Sequence, residues 1–408
     1  MGGMIIIGAG LAGLTVAETL RAEGYDGSIT LIGDEPHPPY QRPPLSKGFL
    51  LGETREAQLM MRPAEVMAKK NIDLRVGAGA TAIDRGAKRI ALADGSTLAY
   101  DGLALCTGSR LRPLPLAGAD WQGVYGLRSL DDAKAVAAAL EAAQNVVIIG
   151  GGFIGLEVAA VARKKGKKVT VLEAADRLMA RVVAPLISQF YLDLHTRHGA
   201  EVVLGAAVSQ LVSEPAGHDG RIAAVRTGDG REFPADLVLV GIGVIANAEA
   251  AQAAGLEVNG GIVVDACGRT SDPAIVAAGD CTVRRLEDGS LRRLESVQNA
   301  LEQGKSAAAA LLGRERPFNA APWFWSDQYD VKLQMLGLTA GFDHVVTRGD
   351  ATSQKFSAYY YRTGRLIAID SLNQPADHMN GRKLFAQGIS PTPGQAADTG
   401  FDIASLLA

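Results

Sequence analysis

Short apolar runs and longer apolar helices alternate along most of this chain. Met4-Ile5-Ile6-Ile7 is too short for a helix and rich in β-branched side chains, so it predicts a strand. A helix over 11–23 and a strand over 28–33 complete a first βαβ unit. The segment 36–47, PHPPYQRPPLSK, holds too many prolines for a helix or a central strand. Residues 90–93 and 97–99 flank Asp94-Gly95, a hairpin signal. Gly102-Leu103-Ala104-Leu105-Cys106 reads as a buried strand, and 110–115 as a linker.

A second unit starts with helix 130–142 and continues through strands Val146-Val147-Ile148-Ile149 and Val169-Thr170-Val171-Leu172. Helix 182–198 and a β region near 201–233 follow, with a further hairpin signal at Asp229-Gly230. Residues 236–243 predict another buried strand. The run Ser271 to Asp280 is expected to rejoin the first unit, with the alanine-rich helix 296–312 beneath its sheet. Past Pro317 the pattern changes to short strands at 331–337, 343–348, 354–361 and 365–372, then a helix at about 377–388. That pattern predicts a small α+β domain.

A chain of 408 residues exceeds what one growing core holds, so two or three domains are expected. A net charge of −3 gives no global basic field for nucleic acid or membrane. No stretch approaches the roughly 20 apolar residues of a membrane span, and the first strand follows the N-terminus without a basic leader. A cytoplasmic protein is the expectation. The 3 cysteines, Cys106, Cys267 and Cys281, have no paired spacing. The 6 histidines, His37, His195, His198, His218, His344 and His378, are scattered. His195 and His198 share a predicted helix at a metal-binding spacing, but no acidic or cysteine ligand adjoins them. A solvated helix face is the reading, and no metal site is assigned.

The chemistry lies in two copies of one turn. Gly8-Ala9-Gly10-Leu11-Ala12-Gly13 and Gly150-Gly151-Gly152-Phe153-Ile154-Gly155 each follow a strand and open a helix. In this pattern the first glycine makes the turn. The second lets backbone N–H groups approach a pyrophosphate, and the third lets helix and strand pack closely. About twenty residues beyond each turn an acid closes the next strand, Asp34 and Glu173, where a carboxylate can accept ribose hydroxyls. Two bound dinucleotides are expected. Phe153 offers an aromatic ring inside the second turn. Glu157 is read in the first turn of the second helix, where the macrodipole alone would favour an acid.

At these motifs the chain resembles the FAD-dependent, NADH-using ferredoxin reductases of bacterial oxygenase systems. The resemblance runs over nearly the whole length. It rests on GAGLAG (8–13), RPPLSK (42–47), LALCTGSRLRPLP (103–115), LRSLDDA (127–133), GGGFIGLE (150–157), DLVLVGIGVIAN (236–247), SDPAIVAAGDC (271–281), ESVQNALEQ (295–303) and PWFWSDQ (322–328). It implies an α/β fold with two Rossmann-like dinucleotide-binding domains. An FAD domain, 1–111 and 243–317, is interrupted by an NADH domain, 112–242, and followed by a C-terminal α+β domain, 318–408. FAD contacts are then Gly8, Gly10, Ala12, Gly13, Asp34, Lys47, Ala80, Arg128, Asp280 and Val297. NADH falls to Gly150, Gly152, Phe153, Ile154, Gly155 and Glu173. The resemblance puts Lys47 near the reactive nitrogen of the flavin ring. It puts Glu157 beside the nicotinamide, paired with Lys47, and Trp325 at the flavin edge facing an electron carrier.

The implied reaction takes hydride from NADH onto FAD and passes single electrons to a [2Fe-2S] ferredoxin. Residues 35–60 hold no cysteine, which speaks against a disulfide reductase or a water-forming NADH oxidase. The tail from Asp402 is too short for the membrane anchor of a type II NADH dehydrogenase. A reductase of rubredoxin remains an alternative. A signalling flavoprotein similar to apoptosis-inducing factor would instead want a basic nucleic-acid-binding surface. The basic positions Arg284, Arg285, Arg292, Arg293, Lys305, Arg314 and Arg316 form either a solvated surface or one rim of a docking site for an acidic ferredoxin.

Overall fold

Strand Gly3–Ile7 is buried at every position because it lies in the middle of a seven-stranded sheet. The structure, a computed structural model, describes residues 2–213 and 220–407, so His218 lies outside the described residues. The chain forms two compact units. The first comprises residues 1–41, 56–110 and 244–320. In it, Gly3–Ile7 pairs in parallel with Ile29–Ile32 and with Thr97–Leu105, and Ile72–Arg75 extends the sheet beyond Ile29–Ile32.

Thr97–Leu105 joins what the sequence suggested were two strands. Its first half is an exposed hairpin arm against Arg89–Leu92, and its second half is a buried central strand. Ile275–Ala277 returns to pair in parallel with that buried half, as expected for the 271–280 run. Helix Val297–Leu311 packs on helix Leu11–Ala22. A Cβ at Gly304 would lie 2.9 Å from the Thr15 side chain, so this close approach requires glycine. Ala307 and Ala308, both 0% exposed, complete that contact in the core with Val16 and Ala17.

The second unit comprises residues 42–55, 111–243 and 321–408. Its parallel sheet runs in the order Glu201–Val203, Lys168–Leu172, Asn145–Ile149, Leu237–Val240, Val124–Tyr125. Helix Leu130–Ala142 starts on a reciprocal cap, Ser129 with Asp132. The predicted helix 182–198 begins only at Pro185, whose fixed φ and missing N–H suit the first helical position. The proline-rich stretch is not wholly irregular either: Pro43–Ser46 is a short 3-10 turn, followed by the helical turn Gly48–Leu51.

The C-terminal part of this unit is a five-stranded antiparallel sheet covered by helix Pro375–Gln387. All four predicted strands are present. A fifth, Trp323–Gln328, was not anticipated, and it forms the sheet edge beside Val331–Gly337. The residue alternation on this edge strand sends Phe324, Ser326 and Gln328 to one face and Trp323, Trp325 and Asp327 to the other. Among the described residues, no helix is long and apolar enough to cross a membrane.

Candidate functional site

The two glycine turns have matching geometry, each within its own unit. Gly8 and Gly150 adopt φ of 110° and 107°, a region open to glycine. A Cβ on Gly13 would collide with the Gly8 carbonyl, and one on Gly155 with the Gly150 carbonyl, so close helix–strand packing excludes any side chain there. The middle glycines differ. A Cβ on Gly10 or on Gly152 would meet nothing within 4 Å. These same residues are the N-caps of helices Leu11–Ala22 and Phe153–Lys164, and neither supplies a capping side chain. First-turn N–H groups therefore border space kept clear of protein, a cradle that fits a pyrophosphate at each helix. Ile154, in the first turn of the second helix, is 44% exposed.

In the first unit, Asp34 is exposed at the end of strand Ile29–Ile32 and accepts the Glu35 N–H at 3.1 Å. The adjacent Glu35 accepts the Tyr40 hydroxyl at 2.5 Å. Ala12 lies under the turn after Ile275–Ala277: a Cβ at Gly279 would be 3.0 Å from that of Ala12. This contact brings Asp280 to the first glycine turn, and its carboxylate accepts from Ser109 Oγ at 3.3 Å. Gln303 Oε1 holds the Gly279 N–H at 2.8 Å from beneath. Val297 is the first residue of its helix, and Ala80 opens strand Ala80–Asp84.

In the second unit, Glu173 braces the other turn. Its Oε2 accepts the Gly151 N–H at 2.6 Å and its Oε1 the Ala175 N–H at 2.8 Å. Arg128 takes part through its backbone, donating its N–H to Asp132 and accepting from Arg42 at 2.8 Å. Phe153 packs on Phe324, with ring centroids 4.8 Å apart. Trp325, half-buried on the opposite strand face, lies 5.6 Å from Trp323, which also carries the Arg382 guanidinium over its ring.

Glu157 is 2% exposed and lies beyond the first turn of its helix, which holds no acid. The helix macrodipole, felt in the first turn, therefore does not explain an acid at this position. Its Oε2 accepts from Lys47 Nζ at 2.7 Å and from Ser46 Oγ at 2.5 Å, and its Oε1 accepts from Ser326 Oγ at 2.6 Å. Lys47 also reaches the Pro43 carbonyl at 3.2 Å, so the 3-10 turn of the prolines aims the ammonium. Ser46 and Ser326 were missed as candidates although each lies inside a quoted motif.

His195 corrects another reading. It is 0% exposed rather than solvated, and its Nε2 lies 2.8 Å from Gln328 Oε1. Burial pulls its pKa down to about 4. His198 instead stacks on Tyr329 at 3.7 Å. All three cysteines are free and buried. Burial pushes the Cys106 and Cys281 thiols up, which leaves them poor nucleophiles. Most of the basic residues between 284 and 316 are committed within their own unit. Arg285 pairs with Glu257, Arg293 with Glu295, Lys305 with Glu302 and Arg314 with Glu23.

The pyridine nucleotide-disulphide oxidoreductase signature matches residues 3–304, and the reductase C-terminal signature matches residues 323–407. The chain belongs to the pyridine nucleotide-disulphide oxidoreductase family. It is 46% identical over 406 residues to a rhodocoxin reductase of Rhodococcus erythropolis, covering 99% of this chain and 94% of the relative. The crystal structure of a ferredoxin reductase from Rhodopseudomonas palustris superimposes with a TM-score of 0.96 at 45% identity, covering 100% of both chains. A covalent putidaredoxin reductase–putidaredoxin complex matches with a TM-score of 0.96 at 40% identity, over 100% of this chain and 98% of that one. Two Rossmann-like domains and a C-terminal α+β domain are the fold of this family member, and it is an FAD- and NAD(H)-dependent oxidoreductase. The resemblance seen in the motifs holds over the chain.

Proposed function

We propose that this chain is the NADH:ferredoxin reductase of a multicomponent oxygenase system and works in the cytoplasm. One observation carries the reading: the two nucleotide turns of a disulphide oxidoreductase occur in a chain whose three cysteines are all buried and unpaired. Without a redox disulfide, electrons must leave to an external acceptor, and two relatives that align over nearly the whole chain are named rhodocoxin reductase and putidaredoxin reductase. When bound, FAD accepts hydride from NADH and releases the electrons singly, which suits a [2Fe-2S] ferredoxin.

Residues 1–111 and 243–317 form the FAD domain, 112–242 the NADH domain and 318–408 the C-terminal domain. Gly8, Gly10, Ala12, Gly13, Asp34, Ala80, Arg128, Asp280 and Val297 hold FAD. Gly150, Gly152, Phe153, Ile154, Gly155 and Glu173 hold NADH. Lys47 supplies a fixed positive charge at the flavin, Glu157 orients the nicotinamide, and Trp325 serves the exit side. No proton-transfer triad is required of the protein. NADH oxidation measured against a panel of [2Fe-2S] ferredoxins, rubredoxin and small disulfides tests the assignment. Turnover with rubredoxin or a disulfide and with no ferredoxin would overturn it.

A further inference from the structure

Glu157 is the end point of a line of buried polar groups that crosses from the C-terminal sheet to the nucleotide-binding helix. Ser326, 0% exposed, donates its hydroxyl to Glu157 Oε1 at 2.6 Å. Gln328, two residues along on the same strand face and 1% exposed, donates its amide to Ser326 Oγ at 3.2 Å. Its own oxygen meets His195 Nε2 at 2.8 Å. Burial keeps His195 neutral near pH 7. A neutral ring facing an amide oxygen must carry its proton on Nε2. Nδ1 is then an acceptor, and the Tyr329 hydroxyl lies 3.4 Å from it.

One proton arrangement satisfies every member. His195 donates to Gln328, Gln328 to Ser326, and Ser326 to Glu157, so each donor points toward the carboxylate. An amide in the middle of the line neither takes up nor gives off a proton near neutral pH. The line therefore orients and polarises, and does not conduct. Opposite it, Ser46 and Lys47 hold Oε2. A glutamate has several rotatable bonds, and these donors from separate elements remove its freedom before any ligand arrives.

We propose that Ser326, aligned by Gln328 and His195, is a positioning residue for NADH: it fixes the Glu157 carboxylate from the C-terminal domain. The inference rests on the reading above that Glu157 orients the nicotinamide. It gives the C-terminal sheet a part in electron entry as well as exit, because the strand that carries Trp325 on one face presents Ser326 on the other.

The test uses FAD-loaded holoenzyme of wild type, Ser326→Ala, Gln328→Leu and Glu157→Ala, with flavin content and thermal midpoint measured first. Equilibrium binding of NAD+ by calorimetry is the readout that needs no turnover. A hydrogen bond to a charged group predicts about tenfold to hundredfold weaker binding in Ser326→Ala. The KM for NADH rises in step, while reduction of a carrier by dithionite-reduced enzyme stays at the wild-type rate. Gln328→Leu gives a smaller loss in the same direction. In wild type, nitrogen NMR of the His195 ring shows the neutral form protonated on Nε2. Unchanged NAD+ binding in Ser326→Ala, with Glu157→Ala impaired, would overturn the proposal and leave the Glu157 reading standing. Unchanged binding in Glu157→Ala would overturn both, and a His195 ring protonated on Nδ1 would overturn the aligned chain.

Discussion

Lys47 Nζ lies 2.7 Å from Glu157 Oε2, and the two side chains are unequally buried, 19% exposed for the lysine and 1% for the glutamate. That asymmetry has a measurable consequence. Lys47→Met strands a buried carboxylate and should cost about 3 kcal/mol of stability. Glu157→Gln leaves an ammonium that still reaches water and the Pro43 carbonyl, so it should cost about 1 kcal/mol. The double variant should be more stable than Lys47→Met alone. Urea denaturation of the four proteins gives the coupling, and strictly additive effects would contradict a direct pair.

The glycines of each turn separate folding from ligand binding. Gly13→Ala drives a methyl group into the Gly8 carbonyl and should destabilise the fold by about 3 kcal/mol. A Cβ at Gly10 would meet nothing within 4 Å in the protein, so Gly10→Val should cost the apoprotein no more than about 1 kcal/mol. Its flavin content should nevertheless collapse. Absorbance of purified protein and thermal unfolding distinguish the cases; a Gly10→Val enzyme fully loaded with FAD would remove the cradle from the account.

These turns were legible in the sequence because their chemistry is local: strand, three glycines and helix lie within a dozen residues. Lys47 and Glu157 were legible only through motifs, since their pairing spans 110 positions. Ser46, Ser326 and Gln328 were not read as site residues. Their roles depend on strand Trp323–Gln328, whose aromatic start after Pro322 gave no clear alternation until its partner Val331–Gly337 was known. His195 was misread for a related reason. It lies on the buried face of its helix with Ile187 and Tyr191, and Gln328 arrives from 133 residues away to satisfy its ring. Thr97–Leu105 was split because its environment changes halfway along, from a solvated hairpin arm to a central strand.

Coenzyme choice should follow Glu173. Its carboxylate braces the Gly151 and Ala175 N–H groups, and a 2′-phosphate would meet its negative charge. Wild type should have a higher kcat/KM with NADH than with NADPH. Glu173→Ala should raise the KM for NADH about tenfold, through loss of the brace and of a ribose acceptor, and should narrow the preference. Equal kcat/KM values for the two coenzymes in wild type would refute this.

Two buried groups pull stability in opposite directions with pH. His195 titrates near 4 in the fold and near 6.5 unfolded, so the unfolded chain gains a proton first and stability falls as pH drops from about 6.5 toward 4. Asp370 is 1% exposed, and burial pushes its pKa up to about 7 even though a hydrogen bond from Tyr360 works the other way. Here the unfolded chain releases its proton first, so stability falls as pH rises from about 4 to 7. Asp370→Asn should therefore match wild type near pH 4 and exceed it at pH 8 by up to about 4 kcal/mol. Urea midpoints at the two pH values check the sign; a variant less stable than wild type at pH 8 would reverse it.

Anaerobic stopped-flow spectroscopy of the two half-reactions tests the central claim most directly, on wild type and on FAD-loaded Trp325→Ala and Glu157→Ala. NADH should bleach the flavin of wild type and of Trp325→Ala at similar rates, and that of Glu157→Ala at least about tenfold more slowly. On mixing with a [2Fe-2S] ferredoxin, reduced wild type should then recover its flavin absorbance as the carrier is reduced, with Trp325→Ala slow in this step alone. A wild-type flavin that NADH reduces but that yields no electrons to any [2Fe-2S] ferredoxin would contradict the account.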